Sequence, residues 1–118
     1  MIKGIGMDLI ELNRIQDSVD RNQRFADRIL TRNEKKACDG LPTYNRRIEY
    51  IAGRFAAKEA FAKAVGTGIG RLSFQDMEVL NDSNGAPYFV AKGYEEVKIF
   101  VSITHSKEYA AAQVVLET

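Results

Sequence analysis

From Thr43 the chain reads TYNRRIEYIAGRFAAKEAFAKAV up to Gly66, a stretch that follows Pro42 and contains no proline of its own. Proline breaks helices and glycine commonly stops them, so the sequence predicts one long helix over 43–66. A chain of 118 residues is expected to form one domain, 1–118, so every other element must pack around that helix. Ile48, Ile51, Ala52, Phe55 and Ala62 fall on one stripe, and Tyr50, Ala57, Phe61 and Ala64 on a second, roughly opposite. The helix is therefore expected to need cover on two sides. Gly53 inside it costs about 1 kcal/mol relative to alanine, which points to close packing or to a substrate passing near the backbone.

Residues 2–12 alternate, with Ile5, Met7 and Leu9 on one side and Gly4, Gly6, Asp8 and Ile10 on the other, as a half-buried strand would. Asp8 is expected to point where the glycines leave open space. Two or three short helices are expected over 13–40, and Thr31 with Glu34 carries a capping-box signature. Gly66, Gly68 and Gly70 read as a helix stop and a flexible turn. Strands are predicted around 73–81, 86–92, 97–105 and 109–117, with Asn84-Gly85 as a hairpin turn. This order implies an α+β fold, a mainly antiparallel sheet against one long helix plus short helices.

Seventeen Lys and Arg face sixteen Asp and Glu, a net charge of +1 that argues against nucleic acid as a partner. The single cysteine, Cys38, excludes an internal disulfide and any Cys-rich zinc site, and reads as an ordinary thiol in a reducing compartment. With one histidine there is no three-histidine zinc site, and a serine triad would depend on His105 alone. The opening MIKGIGMDLIEL lacks a signal peptide's apolar run, and nowhere do about 20 apolar residues follow one another. The expectation is a cytoplasmic protein with no membrane partner. Gly4-Ile5-Gly6 lacks the third glycine of a dinucleotide fingerprint, and no GxxxxGK[ST] loop exists.

Glu59 falls within the first apolar stripe. An ionised carboxylate removed from water loses solvation worth several kcal/mol unless a cation or strong donors replace it. Either the stripe reaches solvent at its end, or Glu59 faces a cation with Lys63, one turn later, beside it for anionic oxygens. Asp8 is a second carboxylate on an apolar element. Two carboxylates with phosphate oxygens and water suit Mg²⁺, although the sequence alone does not bring Asp8 and Glu59 together. His105 sits at a strand end, where structural and functional roles are both open. Segment 13–36 carries a local excess of positive charge. If it is largely helical, Arg14, Arg21 and Arg28 share a face with Arg24 beside the last two, as a solvated face or as a dock for an acidic protein.

Three blocks, GIGMDLIELNRI at 4–15, GRFAAKEAFAKAVGTGIG at 53–70 and SITHSKEYAAAQVVLE at 102–117, together resemble the small holo-acyl-carrier-protein synthase family of 4′-phosphopantetheinyl transferases. RFADRILTRNE and LSFQDMEVLNDSNGAPYFV extend the resemblance over nearly the whole chain. It implies Mg²⁺-dependent transfer of the phosphopantetheine arm of coenzyme A to a serine of acyl carrier protein, as in fatty acid biosynthesis, leaving adenosine 3′,5′-bisphosphate. It assigns Asp8 and Glu59 to the metal and, with Lys63 on phosphate oxygens, to catalysis. It sets Arg54, Lys63, Gly66, His105 and Ser106 around coenzyme A, and the acidic protein expected at the arginine face of Arg14, Arg21, Arg24 and Arg28 is then the carrier protein. The group that takes the serine proton stays open between Glu59 acting through a water and a water on the metal, with His105 a weaker candidate. A nonenzymatic binder of coenzyme A or nucleotides is the alternative, but it has no need of two carboxylates aimed at a metal.

The closing strand YAAAQVVLE is apolar on both alternating faces, the pattern of a strand covered twice. With few elements in one chain, copies of itself are the expected source of the missing layer, unless the short helices of 13–40 cover one face. The resemblance adds a specific form, a homotrimer with active sites between neighbouring subunits.

Overall fold

The structure is a computed structural model that describes residues 1–66 and 72–118. The sequence expectations for Gly68 and Gly70 lie outside the described residues. Strand β1 (Ile2–Glu11) leads into helices α1 (Leu12–Arg21), α2 (Phe25–Ile29) and α3 (Arg32–Asp39), then the long α4 (Tyr44–Val65). A 3₁₀ turn (Phe74–Asp76) precedes β2 (Met77–Asn81), β3 (Pro87–Ala91), β4 (Lys98–His105) and β5 (Tyr109–Glu117). β1, β5 and β4 form an antiparallel sheet in that spatial order, and β2 pairs with β3 as a separate antiparallel hairpin. The fold is α+β.

Local chemistry sets most boundaries. Thr43 caps α4 by accepting from the Arg46 N–H, and Gly66 ends it in the left-handed conformation at φ 93°. Thr31 and Glu34 form the complete capping box of α3. The segment expected as strand from 73 begins instead as the 3₁₀ turn, because Ser73 and Asp76 make a second reciprocal cap that holds the backbone out of the ladder.

Two expectations are corrected. Gly4 and Gly6 leave no open space beside Asp8, because the backbone of α4 fills it. A Cβ on Gly4 would lie 2.1 Å from the Ala64 carbonyl oxygen, and one on Gly6 2.0 Å from that of Ala60. Nor does α4 lack cover within the chain. The inner face of the sheet, with Ala110, Ala112, Val114 and Leu116, buries one side. On the other, Phe61 stacks on Phe89 of β3 at 4.8 Å and Phe55 on Phe74 at 5.5 Å. What stays uncovered is the outer face of the sheet, where Ile5, Met7 and Leu9 are 60%, 61% and 63% exposed, with Phe100 and Tyr109 also exposed. Gly53 is a case of close packing, since a Cβ there would sit 3.0 Å from Ile103 Cγ2 of β4.

Candidate active site

From Gly4 to Ile10 the even-numbered residues of β1 face α4, so the approach that Gly4 and Gly6 permit also carries Asp8 onto the helix. Lys63 Nζ donates to Asp8 Oδ1 at 3.1 Å and to the Met7 carbonyl at 3.0 Å. Glu59 is half-buried beside them. Burial first, and then the negative charge of Asp8, push its carboxyl above the usual range, while Lys63 pulls the other way. The structure thus brings Asp8, Glu59 and Lys63 together. Two carboxylates against one ammonium leave a residual negative charge, made of hard oxygen donors suited to a small divalent cation. Among the described residues no group of three or more His, Cys, Asp or Glu side chains is placed to hold a metal. A metal here would complete its shell with substrate oxygens and water, which fits Mg²⁺ better than Ca²⁺.

A cavity of about 350 Å³ lies elsewhere on α4, lined in part by Arg46, Glu49, Gly53, Arg54, Asn81 and His105. Arg54 is buried, donates from Nε to the Val79 carbonyl at 3.1 Å and from Nη2 to Asn81 Oδ1 at 3.2 Å, and lies 3.9 Å over the Tyr50 ring. Burial lowers its proton affinity, opposed by Tyr50 and Glu34. His105 Nδ1 is 3.6 Å from Glu49 Oε2. Ser106 Oγ accepts from the backbone N–H groups of Glu108 and Tyr109, so it shapes the β4–β5 turn. Gly66, capping α4 three residues after Lys63, has nothing among the described residues within 4 Å of where its Cβ would stand.

Among the described residues the two regions stand apart. Asp8 pairs with Ala112, which pairs in turn with Ile103, so β5 separates Asp8 from β4 by two strand spacings, about 10 Å. His105 lies a further step along β4.

Arg14, Arg21, Arg24 and Arg28 are all exposed, and none is in an ion pair among the described residues. Their shared seven-residue phase is corrected: the chain turns extended at Asn22, whose side chain accepts from the Arg24 N–H, so Arg28 belongs to a different helix from Arg14 and Arg21. Arg28 lines an apolar groove of about 250 Å³ with Phe25, Ile29, Phe55 and Phe74.

Sequence reasoning missed Lys58. Its side chain is wholly buried and donates to Glu34 Oε1 at 2.6 Å and to the carbonyls of Ile29 at 2.7 Å and Phe74 at 3.1 Å. Glu34, also wholly buried, accepts from Thr31 N and Val79 N. Burial lowers the Lys58 proton affinity and Glu34 raises it back. The signal was present: Phe55, Phe61 and Ala62, at three and four residues' distance, are apolar.

A family model described as the 4′-phosphopantetheinyl transferase superfamily matches residues 4–114. The chain belongs to that superfamily. It is 59% identical over 118 residues to the holo-[acyl-carrier-protein] synthase of Oceanobacillus iheyensis, covering 100% of this chain and 98% of that one. To the synthase of Bacillus subtilis it is 57% identical, covering 99% and 97%. A crystal structure of a holo-(acyl-carrier-protein) synthase from Bacillus anthracis in complex with CoA (3′,5′-ADP) superposes with a TM-score of 0.91 at 54% identity, covering 100% and 98%.

Proposed function

We infer that this chain is a holo-acyl-carrier-protein synthase, which transfers the 4′-phosphopantetheine arm of coenzyme A to a serine hydroxyl of acyl carrier protein. The observation that carries the mechanism is the packing of β1 on α4, which gathers Asp8, Glu59 and Lys63 at one point. Asp8 and Glu59 would hold Mg²⁺, which when bound offsets the charge of the coenzyme A diphosphate. Lys63 remains half exposed beyond its bonds to Asp8 and the Met7 carbonyl, and its free N–H is available to a phosphate oxygen. The serine oxygen forms a bond to the phosphorus bearing the pantetheine arm. The phosphorus–oxygen bond to the adenosine 3′,5′-bisphosphate breaks. Such a transfer needs positioning and charge compensation rather than a protein nucleophile. Glu59, at the reacting diphosphate in this reading, is placed to take the serine proton through a water.

Arg54, His105 and Ser106, with Gly66 beyond Lys63, complete the coenzyme A site in this reading. His105 stands apart from Asp8 across β5, and in this reading the site joins two copies. A homotrimer buries the exposed Ile5, Met7, Leu9, Phe100 and Tyr109 face and sets one subunit's carboxylates against the next subunit's cavity. Exposed Arg14, Arg21, Arg24 and Arg28 dock the acidic carrier protein, and the enzyme works as one domain in the cytoplasm. Among the described residues no helix is long and apolar enough to cross a membrane. The test is intact-mass measurement of acyl carrier protein incubated with the chain, coenzyme A and Mg²⁺. A gain of one phosphopantetheine arm is expected; no gain across several carrier proteins would refute the reading.

A further inference from the structure

Helix α2 has five residues, far below the roughly 12–15 at which isolated helices become even marginal in water. The carbonyls at its end lack intrahelical donors by construction. Two side chains from other elements supply them. Gln75 Nε2, in the 3₁₀ turn, reaches the carbonyl oxygens of Asp27 at 2.8 Å, Arg28 at 3.2 Å and Leu30 at 2.8 Å. Lys58 Nζ takes the one between, Ile29, at 2.7 Å. Lys58 is the residue before Glu59, and Phe74, beside Gln75, stacks on Phe55 of the same helix. The short segment that begins at Arg24 and carries Arg28 is therefore pinned to the element that bears the catalytic carboxylate.

We propose that Gln75 is a positioning residue for the carrier-protein step: its amide fixes the Asp27, Arg28 and Leu30 carbonyls and so holds Arg24 and Arg28 at a set place relative to Glu59. The inference rests on the reading of those arginines as the carrier-docking face. A primary amide brings two N–H donors, one of them shared, to a fan of three oxygens. A carboxylate would repel those oxygens and an aliphatic side chain would leave them to water. Without the amide, α2 frays and spends less time in the docking arrangement. The apparent KM for the carrier then rises by the inverse of the remaining fraction, while the chemistry after docking is unchanged.

The test is steady-state transfer with carrier protein and coenzyme A varied separately, on Gln75→Leu, Gln75→Lys and Arg28→Glu. Loss of about one net hydrogen bond weakens the docking arrangement about fivefold, so carrier KM for Gln75→Leu is expected to rise by up to about fivefold, with kcat and coenzyme A KM within about twofold of the parent. Gln75→Lys, whose ammonium offers three donors at similar reach, is expected to restore carrier KM. Gln75→Asn keeps the amide but draws it back, gives the same sign at smaller size, and serves if the leucine variant fails to fold. An unchanged carrier KM in Gln75→Leu and Gln75→Asn, with a raised one in Arg28→Glu, overturns the proposal and leaves the docking face standing. An unchanged carrier KM in Arg28→Glu removes the docking face and the proposal with it. A parallel loss of kcat or coenzyme A affinity in Gln75→Leu, unrepaired by lysine, also overturns it, since that is general loosening of the fold.

Discussion

Replacing Lys58 by methionine keeps most of the stem and deletes the ammonium. Glu34 Oε1 and the carbonyls of Ile29 and Phe74 lose the ammonium, and of these the Phe74 carbonyl keeps the Met77 N–H. Glu34 keeps the N–H groups of Thr31 and Val79 but stays wholly buried with no cation against it. Removing one partner of a buried ion pair costs about 3–5 kcal/mol. The stranded Ile29 carbonyl adds about 1 kcal/mol, partly shared with the first figure because the groups form one network. The total loss expected is about 4 kcal/mol, a large part of the roughly 5–15 kcal/mol that holds a domain together. Adding Glu34→Gln removes the stranded charge, and the double variant should recover about 2 kcal/mol of that loss. Urea unfolding of the parent, both single variants and the double variant measures this, with equal m-values as the check that the unfolded state is unchanged. A loss below about 1 kcal/mol in Lys58→Met, or strictly additive effects across the cycle, would refute the argument that this pair is a coupled, desolvated unit.

Gly6→Ala drives a methyl into the Ala60 carbonyl, so melting should reveal a loss of about 3 kcal/mol and assay a fall in turnover as Asp8 is lifted off α4; a parent-like melt would show that the contact yields easily. Asp8→Ala and Glu59→Ala should each lower turnover by about 10²–10³ with unchanged circular dichroism, and near-normal rates at limiting Mg²⁺ would remove that carboxylate from the site. Glu59→Ala chains refolded with His105→Ala chains should regain a fraction of activity through mixed interfaces, whereas no recovery would place both residues in the same subunit's site. Burial raises the Cys38 thiol, so between its unfolded pKa near 9.0 and the higher folded value the unfolded chain sheds a proton that the folded one keeps. Stability should therefore fall as pH rises through that window, and Cys38→Ala should flatten this part of the curve in chemical unfolding; an identical slope would refute the assignment.

The extent of α4 was readable because its punctuation is local: Thr43 caps it, Gly66 turns left-handed after it, and no proline intervenes. The same holds for the Thr31 and Glu34 box. Asp8 and Glu59 were legible singly, each as a carboxylate on an apolar element, but their meeting depends on β1 lying on α4, which no local pattern encodes. The glycines were misread because a missing side chain looks the same in sequence whether solvent or another backbone takes its place. Lys58 was hidden for a related reason. A lysine in a helix reads as a solvated stem, and only the tertiary arrival of Glu34 and the Ile29 and Phe74 carbonyls makes its burial tolerable. The break at Asn22 came from a side-chain bond to the Arg24 N–H, which competes with helix continuation.

In β1 the parity of the residue number decides a side chain's duty, with 4, 6, 8 and 10 turned to α4 and 5, 7 and 9 turned outward. An insertion or deletion of one residue within the strand exchanges the two sets along part of its length. Large side chains such as Met7 and Leu9 would then be aimed at the helix backbone that tolerates only glycine, and Asp8 would leave its neighbours for the outer surface. In-frame length changes should therefore be purged from this strand even where substitutions survive. The Asn84-Gly85 turn, where Gly85 adopts φ 84° in an exposed hairpin, is free to lengthen. The reading frame of one ten-residue strand thus carries a heavier genetic constraint than the identity of most residues in it.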